Sequence, residues 1–310
     1  METNDIICVL GSNGTLGKSL IQHIQDAGYH NILSPPRSEL DLTSYDSVRK
    51  YIERNKPKYV ILSAAKVSGI SDQMLYPADH AFINGSIILN VFEACAKNMV
   101  EKTLFISSAT IYPRDCPNPI KEESIYTGML DTDVEMYGLT KLLGTRMCHY
   151  YSKQYKTKFV CCVPSNIYGP YCNLYGSRKH VIASLIEKIH NAKIHNHPSI
   201  TVWGDGNARR EFIYSGDLAE CCLFILNSVD SSNHINVGTG EDFSIKQLVE
   251  VIKRVVDYEC DVIWDTSKPS GNGRRLLDSS KINNMGWNPK HNLENGVKKT
   301  YEWYMKEIIK

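Results

Sequence analysis

An α/β fold built on a parallel sheet, with a smaller α/β lobe added late in the chain, is the architecture this sequence predicts. Three observations point to it. Short apolar runs of strand length alternate with helical patterns as far as about residue 166. Those runs are apolar throughout, as strands buried on both faces must be. The first of them, DIICVLG, opens through a glycine-rich turn straight into an amphipathic segment. Repeated β-α-β units with right-handed crossovers give the doubly wound, Rossmann-type arrangement.

The elements follow in order. After DIICVLG, the segment TLGKSLIQHIQDAGY places Leu16, Leu20, Ile21 and Ile24 near a 3.6-residue period. NILSP is a short second strand, and a helix begun by Thr43 or Ser44 runs on to Pro57. YVILSAA is the third strand, AFINGSIILNVFEACAKNM a long apolar helix and TLFISS the fourth strand. EMYGLTKLLGTRMCHYYSKQY is helical, and FVCCVPSNIYG is expected to be one continuous fifth strand. Beyond it the alternation fails. HVIASLIEKIHNA and SIKQLVEVIKRVV are helices, set among TVWGDG, REFIYSGDLAECCLFIL and HINVGTG. Residues 1–166 are expected to form one unit, with 211–240 returning to it, and 167–210 and 241–310 to form the lobe.

Composition narrows the function classes. A chain of 310 residues with 42% hydrophobic and 22% charged residues is an ordinary soluble globular one. A net charge of +1 creates no field that would favour nucleic acid or an acidic membrane. The ten cysteines include no CxxC pair, so no metal site is expected, and several sit in apolar runs such as VCCV. They read as reduced thiols of a cytoplasmic protein. No signal peptide and no membrane-spanning run is apparent.

GSNGTLG places Gly11, Gly14 and Gly17 at the turn from the first strand to the first helix. Glycine lets backbone approach a pyrophosphate, and the helix N-terminus offers unpaired N–H groups. At the end of the second strand, ILSPPRSELDL carries no acid at 34–36 for a ribose 2′-hydroxyl, and Arg37 follows. A guanidinium there suits the 2′-phosphate of NADP(H), the alternative being a solvated loop arginine. Asp41 and Leu42 would border the adenine.

Tyr137 and Lys141 lie four residues apart on one helical face. A phenol ordinarily titrates near ~10, and an adjacent ammonium is expected to lower that value. Ser108, where the fourth strand ends, could donate to a developing oxyanion. Together these residues suggest carbonyl reduction with proton donation by tyrosine.

With these residues in hand, the chain resembles the extended short-chain dehydrogenase/reductases, and among them the GDP-L-fucose synthase group. The likeness runs through nearly the whole sequence. It is carried by GSNGTLG, RSELDL, AAKVSGI with YPADH, SSATIYP, YGLTK, PSNIYGPYCN, KHVIASL, VWGDG, RREF, HINVGTG and SKPSGNGRRLLD. The resemblance implies NADPH as cofactor, a GDP-linked 4-keto-6-deoxy sugar as substrate and hydride delivery to carbon 4. Tyr137 would be the proton donor, supported by Lys141 and Ser108, with His180 as a second acid. The cofactor set would extend to Ser12, Asn13, Thr15, Leu16, Ala64, Ala65, Pro164, Asn166, Ile167 and His180. The substrate would meet Ser108, Thr110, Tyr137, Asn166 and Val181, and around its diphosphate and base Lys188, Trp203, Arg210 and Ser270. A homodimer through the helix near Ile83 to Met99 and the one carrying Tyr137 is also implied. An intramolecular core would give the same pattern.

The departures from the family are specific. Its Ser-Ser-Cys-Ile-Tyr-Pro motif reads Ser108-Ala109-Thr110-Ile111-Tyr112-Pro113 here. Epimerisation beside a ketone needs a base, which a thiol titrating near ~8.5 can supply and a threonine hydroxyl cannot. The expectation is therefore a reductase without epimerase activity, serving surface-polysaccharide assembly with a hexose or a heptose. Asn13 stands where an arginine is frequent in the phosphate turn, which weakens the NADP preference. Ser270 stands for a family aspartate. Three alternatives stay open: a bifunctional epimerase-reductase, an epimerase or dehydratase holding NAD tightly, and a non-catalytic dinucleotide sensor.

Overall fold

The computed structural model describes residues 1–172, 180–267 and 273–308. The chain runs β1 (Ile7–Leu10), α1 (Thr15–Asp26), β2 (Ile32–Leu33), α2 (Tyr45–Asn55), β3 (Tyr59–Leu62), α3 (Ile70–Leu75), α4 (Pro77–Lys97), β4 (Lys102–Ile106), α5 (Glu135–Tyr155) and β5 (Lys158–Pro164). It continues through β6 (Asn166–Tyr168), α6 (Val181–His195), β7 (Ser199–Trp203), β8 (Arg209–Tyr214), α7 (Ser215–Ser228), β9 (Ile235–Val237) and β10 (Asp242–Ser244). The last elements are α8 (Ile245–Val256), β11 (Asp261–Asp265), β12 (Arg274–Arg275), α9 (Ser280–Asn284) and α10 (Leu293–Ile308).

The principal sheet has the order β2-β1-β3-β4-β5-β9 among the described residues, every pair parallel. Its pleat divides the strand side chains between two cores. Cys8, Leu10, Val60, Leu62, Phe105, Cys161 and Val163 face α2, α4 and α5. Ile7, Val9, Ile61, Leu104, Ile106, Val160 and Cys162 face α1 and α7. The chain leaves β1 for β2 on one side, then returns to place β3 on the other. This reversal opens a crevice at the carboxyl ends of β1 and β3, where ligands of such sheets bind.

The expected fifth strand is not continuous. β5 pairs with β9 as far as Pro164, and Ser165 N donates to Val237 O at 3.0 Å. From Asn166 the chain belongs to a second sheet, in which β6 lies parallel to β8. β8 also pairs with β10 and β12, and REFIYSGDLAECCLFIL divides into β8 and α7 at Ser215. β7 and β11 form a separate parallel pair. A third core, with Ile186, Ile189, Leu248, Ile252 and Val297, packs α6, α8 and α10 together. Ser44, one of the two expected caps, accepts from Ser47 N at the start of α2. Among the described residues no helix is long and apolar enough to cross a membrane.

A buried amide joins the loop after β4 to the far strand. Tyr112, fully buried, donates its hydroxyl to Asn236 Oδ1 at 2.6 Å, and Asn236 Nδ2 donates to Ile120 O at 2.9 Å. Tyr112→Phe strands that acceptor without solvent. The expected loss is about 1–3 kcal/mol of unfolding free energy, measured by urea denaturation; no loss would show that the bond carries nothing.

Candidate active site

The glycine turn is shaped by close backbone contact. Gly11 has φ +94°, and a Cβ there would lie 2.5 Å from Ala64 N. A Cβ on Gly17 would lie 2.1 Å from Gly11 O, so neither position accepts a side chain. Gly14 differs: its Cβ would meet Gly11 O at 3.5 Å, an ordinary contact, and Gly14 is the N-cap of α1. Protein packing therefore does not demand glycine at 14, whereas a phosphate against the helix N-terminus would. Asn13 and Thr15 border the same turn, Asn13 exposed, while Leu16 is buried in the core beneath. Ser12 is buried, its hydroxyl directed to Ser34 O (3.3 Å) and Pro35 O (3.5 Å), so it braces the turn against the end of β2. Thr15 Oγ1 donates to Tyr171 O at 3.3 Å.

Around this turn the other expected cofactor residues take defined places. Arg37 is exposed in the loop after β2. Asp41 accepts from Thr43 N and Thr43 Oγ1 at 2.9 and 2.7 Å, which holds its carboxyl below the usual range. Leu42 packs against the core, and its carbonyl accepts from Asn90 on α4 at 3.0 Å. Ala64 and Ala65 lie in the turn after β3, which Asn84 of α4 fixes by bonding both Lys66 N and Lys66 O. This crevice suits a dinucleotide, with a helix N-terminus for the pyrophosphate and a guanidinium for a 2′-phosphate.

Four residues converge at the carboxyl end of β4. Ser108 caps the 3₁₀ turn of residues 109–111. Its Oγ accepts from Thr110 N at 3.3 Å and from Thr110 Oγ1 at 3.0 Å, and Ser108 draws the pKa of the nearby Tyr137 phenol down. Helix α5 reaches this turn because Gly138 presents no side chain: a Cβ there would stand 2.9 Å from Thr110 O. Ser107 Oγ meets Thr145 Oγ1 at 2.7 Å, locking β4 to α5 one turn beyond.

The electrostatics correct one expectation. Lys141 does not lower the phenol of Tyr137. Burial raises Tyr137 to about 12, and only the Ser108 hydrogen bond draws it down. The buried Lys141 ammonium donates instead to Ile106 O at 2.7 Å, with Nζ 4.9 Å from the Phe105 ring centroid and 5.8 Å from that of Tyr137. Desolvation drops its own value to about 8. Tyr137 is thus a protonated donor at neutral pH, and Lys141 a buried cation beside it.

The remaining residues fall into separate groups. His180 is the N-cap residue of α6, and its imidazole, open at the surface yet recessed among surrounding protein, has its pKa lowered by desolvation. Among the described residues it makes no hydrogen bond to Ser108, Thr110, Tyr137 or Lys141. Val181 opens α6. Pro164 is buried at the end of β5; Asn166, exposed at the start of β6, donates to Glu211 O at 2.8 Å, and Ile167 is half-buried beside it. Lys188 donates to Thr201 O at 2.7 Å, two residues before Trp203, whose indole is exposed. Arg210 stands apart from that pair, on β8, in register with Arg275 of β12. Desolvation, then the charge of Arg275, holds Arg210 below its ordinary value. Arg209 is committed to Asp242. Ser270 lies outside the described residues. The sequence reading named no role for Arg275 or for the buried Glu211, whose carboxylate gathers Thr239 N, Gly240 N and Leu277 N; GRRLLD and RREF, which contain them, were the visible signs.

The buried ammonium gives a stability test. Below pH 8 Lys141 is charged in folded and unfolded chains alike, and the folded state bears its full desolvation. Between about 8 and 10.5 the folded chain releases the proton while the unfolded chain keeps it, so stability rises with pH. Lys141→Met lacks this rise. Denaturant unfolding at pH 7 and pH 10.5 should move the stability difference in favour of the parent by on the order of 3 kcal/mol; an unchanged difference would mean the ammonium is not desolvated.

Comparison with known proteins accords with this geometry. Residues 7–238 match the model of the NAD dependent epimerase/dehydratase family. GDP-L-fucose synthase 1 of Arabidopsis thaliana is 37% identical over 302 residues, covering 97% of this chain and 94% of that one. GDP-L-fucose synthase of Escherichia coli K12 is 33% identical, with 96% of each chain covered. Among solved structures, a GDP-6-OMe-4-keto-L-xylo-heptose reductase from C. jejuni superposes with a TM-score of 0.93 at 32% identity, 99% of each chain covered. The GDP-mannoheptose C4 reductase MlghC from Campylobacter jejuni, solved with NADP bound, gives 0.90 at 35% identity, covering 98% of this chain and 99% of that one. The chain belongs to the NAD dependent epimerase/dehydratase family and is a homologue of the GDP-L-fucose synthases.

Proposed function

We propose that the protein is an NADPH-dependent reductase of a GDP-linked 4-keto-6-deoxy sugar, hexose or heptose, that acts at carbon 4 and lacks epimerase activity. The observation that carries this reading is the grouping of Ser108, hydrogen-bonded by Thr110, with the buried Tyr137 phenol, which Ser108 draws down against burial. NADPH, when bound, supplies the hydride. The chain's own residues supply the proton and hold the ketone. Tyr137, kept protonated by burial, gives its phenolic proton to the oxygen of carbon 4 as that oxygen gains charge. Ser108 is the adjacent donor for the same oxygen. Lys141, buried beside the phenol with its ammonium on Ile106 O, holds the helix face that carries Tyr137 against the end of β4.

Thr110 is the reason for excluding epimerisation. Its hydroxyl proton is already directed at Ser108 Oγ, and an alkoxide is out of reach near neutrality. His180, neutral at neutral pH because burial lowers its pKa, then has no partner base across the ring. Two of the solved relatives are named as reductases, one of them explicitly as a C4 reductase. Arg210, Lys188 and Trp203 are proposed to hold the diphosphate and base. A homodimer is also proposed, from the exposed apolar side chains Phe82 and Leu89 on α4 and Leu139, Leu143 and Tyr150 on α5.

Purified protein with NADPH and GDP-4-keto-6-deoxy-mannose in deuterium oxide should consume NADPH without deuterium entering carbons 3 or 5. Exchange at a rate matching turnover would overturn the loss of epimerase activity. Thr110→Cys should gain exchange, read by mass spectrometry of the product. Tyr137→Phe should lower kcat by roughly 10²–10⁴, while tight NADPH binding, followed by fluorescence, persists.

A further inference from the structure

We infer that Tyr171 is a positioning residue for the dinucleotide: it clasps the segment after β6 to the first turn of α1 and ties that turn to the lobe. The inference rests on the NADP(H) site described above. The start of α1 leaves the N–H groups of Thr15, Leu16 and Gly17 without intrahelical partners. The pyrophosphate of a dinucleotide would take those groups as donors. How firmly this turn is placed therefore bears on how long the cofactor is held.

Residues 169–172 are fastened to α1 at two points. Gly169 packs against the start of α7 so closely that a Cβ on it would collide with Ser215 Oγ. Ser215 Oγ lies 2.8 Å from Ser19 Oγ of α1, and Ser19 Oγ donates to Thr15 O at 3.0 Å. Two residues further on, Tyr171 meets the first turn itself. Its carbonyl accepts from Thr15 Oγ1 at 3.3 Å, and the Lys18 ammonium lies 5.1 Å from the centroid of its ring. The same ring meets Trp303 of α10 edge-on, with centroids 5.7 Å apart. One side chain thus stands between the helix of the glycine turn and a helix of the lobe.

The backbone at this point supports a function for the contact. Tyr171 has φ +66°, a left-handed conformation that a bulky residue adopts only at a cost met by its surroundings. Asparagine or glycine takes it with less strain, but neither could span Lys18 and Trp303. The bond to the Tyr171 carbonyl uses the Thr15 hydroxyl and leaves the backbone N–H groups to the pyrophosphate, so clasp and cofactor do not compete for a donor. With the clasp closed, the first turn of α1 cannot shift from the crevice without breaking contacts to the lobe. Release of the dinucleotide is slowed accordingly.

Tyr171→Asn removes the ring from a residue type that tolerates the left-handed backbone, and Tyr171→Phe keeps the ring. NADPH release can be followed by stopped-flow fluorescence after the loaded protein is mixed with excess NADP⁺. It should be on the order of tenfold faster in Tyr171→Asn and within about twofold of the parent in Tyr171→Phe. Thr15→Val and Trp303→Leu, which cut the two ends of the clasp separately, should each speed release in the same direction. GDP affinity, measured by calorimetry, should be unchanged in Tyr171→Asn. Hydrogen–deuterium exchange without ligand should be faster in the peptide spanning 12–20 of Tyr171→Asn, with β4 and β5 peptides as protected as in the parent. Parental release in Tyr171→Asn, or release from Tyr171→Phe as fast as from Tyr171→Asn, would overturn the inference. So would lost protection in β4 and β5, which would mark a general destabilisation. Faster release in Tyr171→Asn supports the clasp whether or not GDP-4-keto-6-deoxy-mannose is reduced, so failure of the proposed reaction is read separately.

Discussion

The docking of α5 against the end of β4 is the constraint on which the site depends. It combines a helix face free of side chains at Gly138 with a serine–threonine contact at Ser107 and Thr145. It also buries an ammonium against a strand carbonyl, Lys141 on Ile106. A phenol projecting from the same helix face is thereby carried to the cap of the next turn. The cation is costly to bury, and its ammonium is committed to the strand carbonyl, which ties the helix to the strand end. Of the two neighbours, Ser108 alone draws the phenol down against burial.

Buried polar groups help hold the lobe to the sheet. Glu211 binds three backbone N–H groups drawn from residues 239, 240 and 277, and a Cβ on Gly238 would overlap its carboxylate. Asn236 ties β9 to the loop after β4. Such groups tolerate only one register, because any slip leaves a buried donor or acceptor unpaired. Catalytic turn, far strand and lobe are therefore fixed by one network.

Most of the fold was legible in the sequence because its strands are buried on both faces and its helices are amphipathic. GSNGTLG and YGLTK could be placed on their elements without coordinates. Three things were not legible, for physical reasons. VCCVPSNIY is apolar up to Pro164 and again at Ile167 and Tyr168, and the polar pair Ser165-Asn166 between them is too short to mark a change of sheet. The four-residue spacing of Tyr137 and Lys141 puts both on one face but does not say which acceptor the ammonium chooses, and Ile106 O wins. Arg275 and Glu211 act across strands far apart in sequence, where only the register of β8 with β12 reveals them. Arg37, His180 and Arg210 stand on the elements expected, though their partners in function are not part of the chain.

The passage of the backbone from β5 to β6 has a structural consequence of its own. One residue, Ser165, separates a strand of the principal sheet from a strand of the second. The two sheets meet on an unbroken ribbon with no slack at its crease. Insertion or deletion at that crease would turn every later side chain of β6 to the opposite face. New sugar preferences can arise by remodelling loops and helix faces further along, but a wholesale exchange of the lobe between relatives succeeds only if the splice keeps that single-residue step.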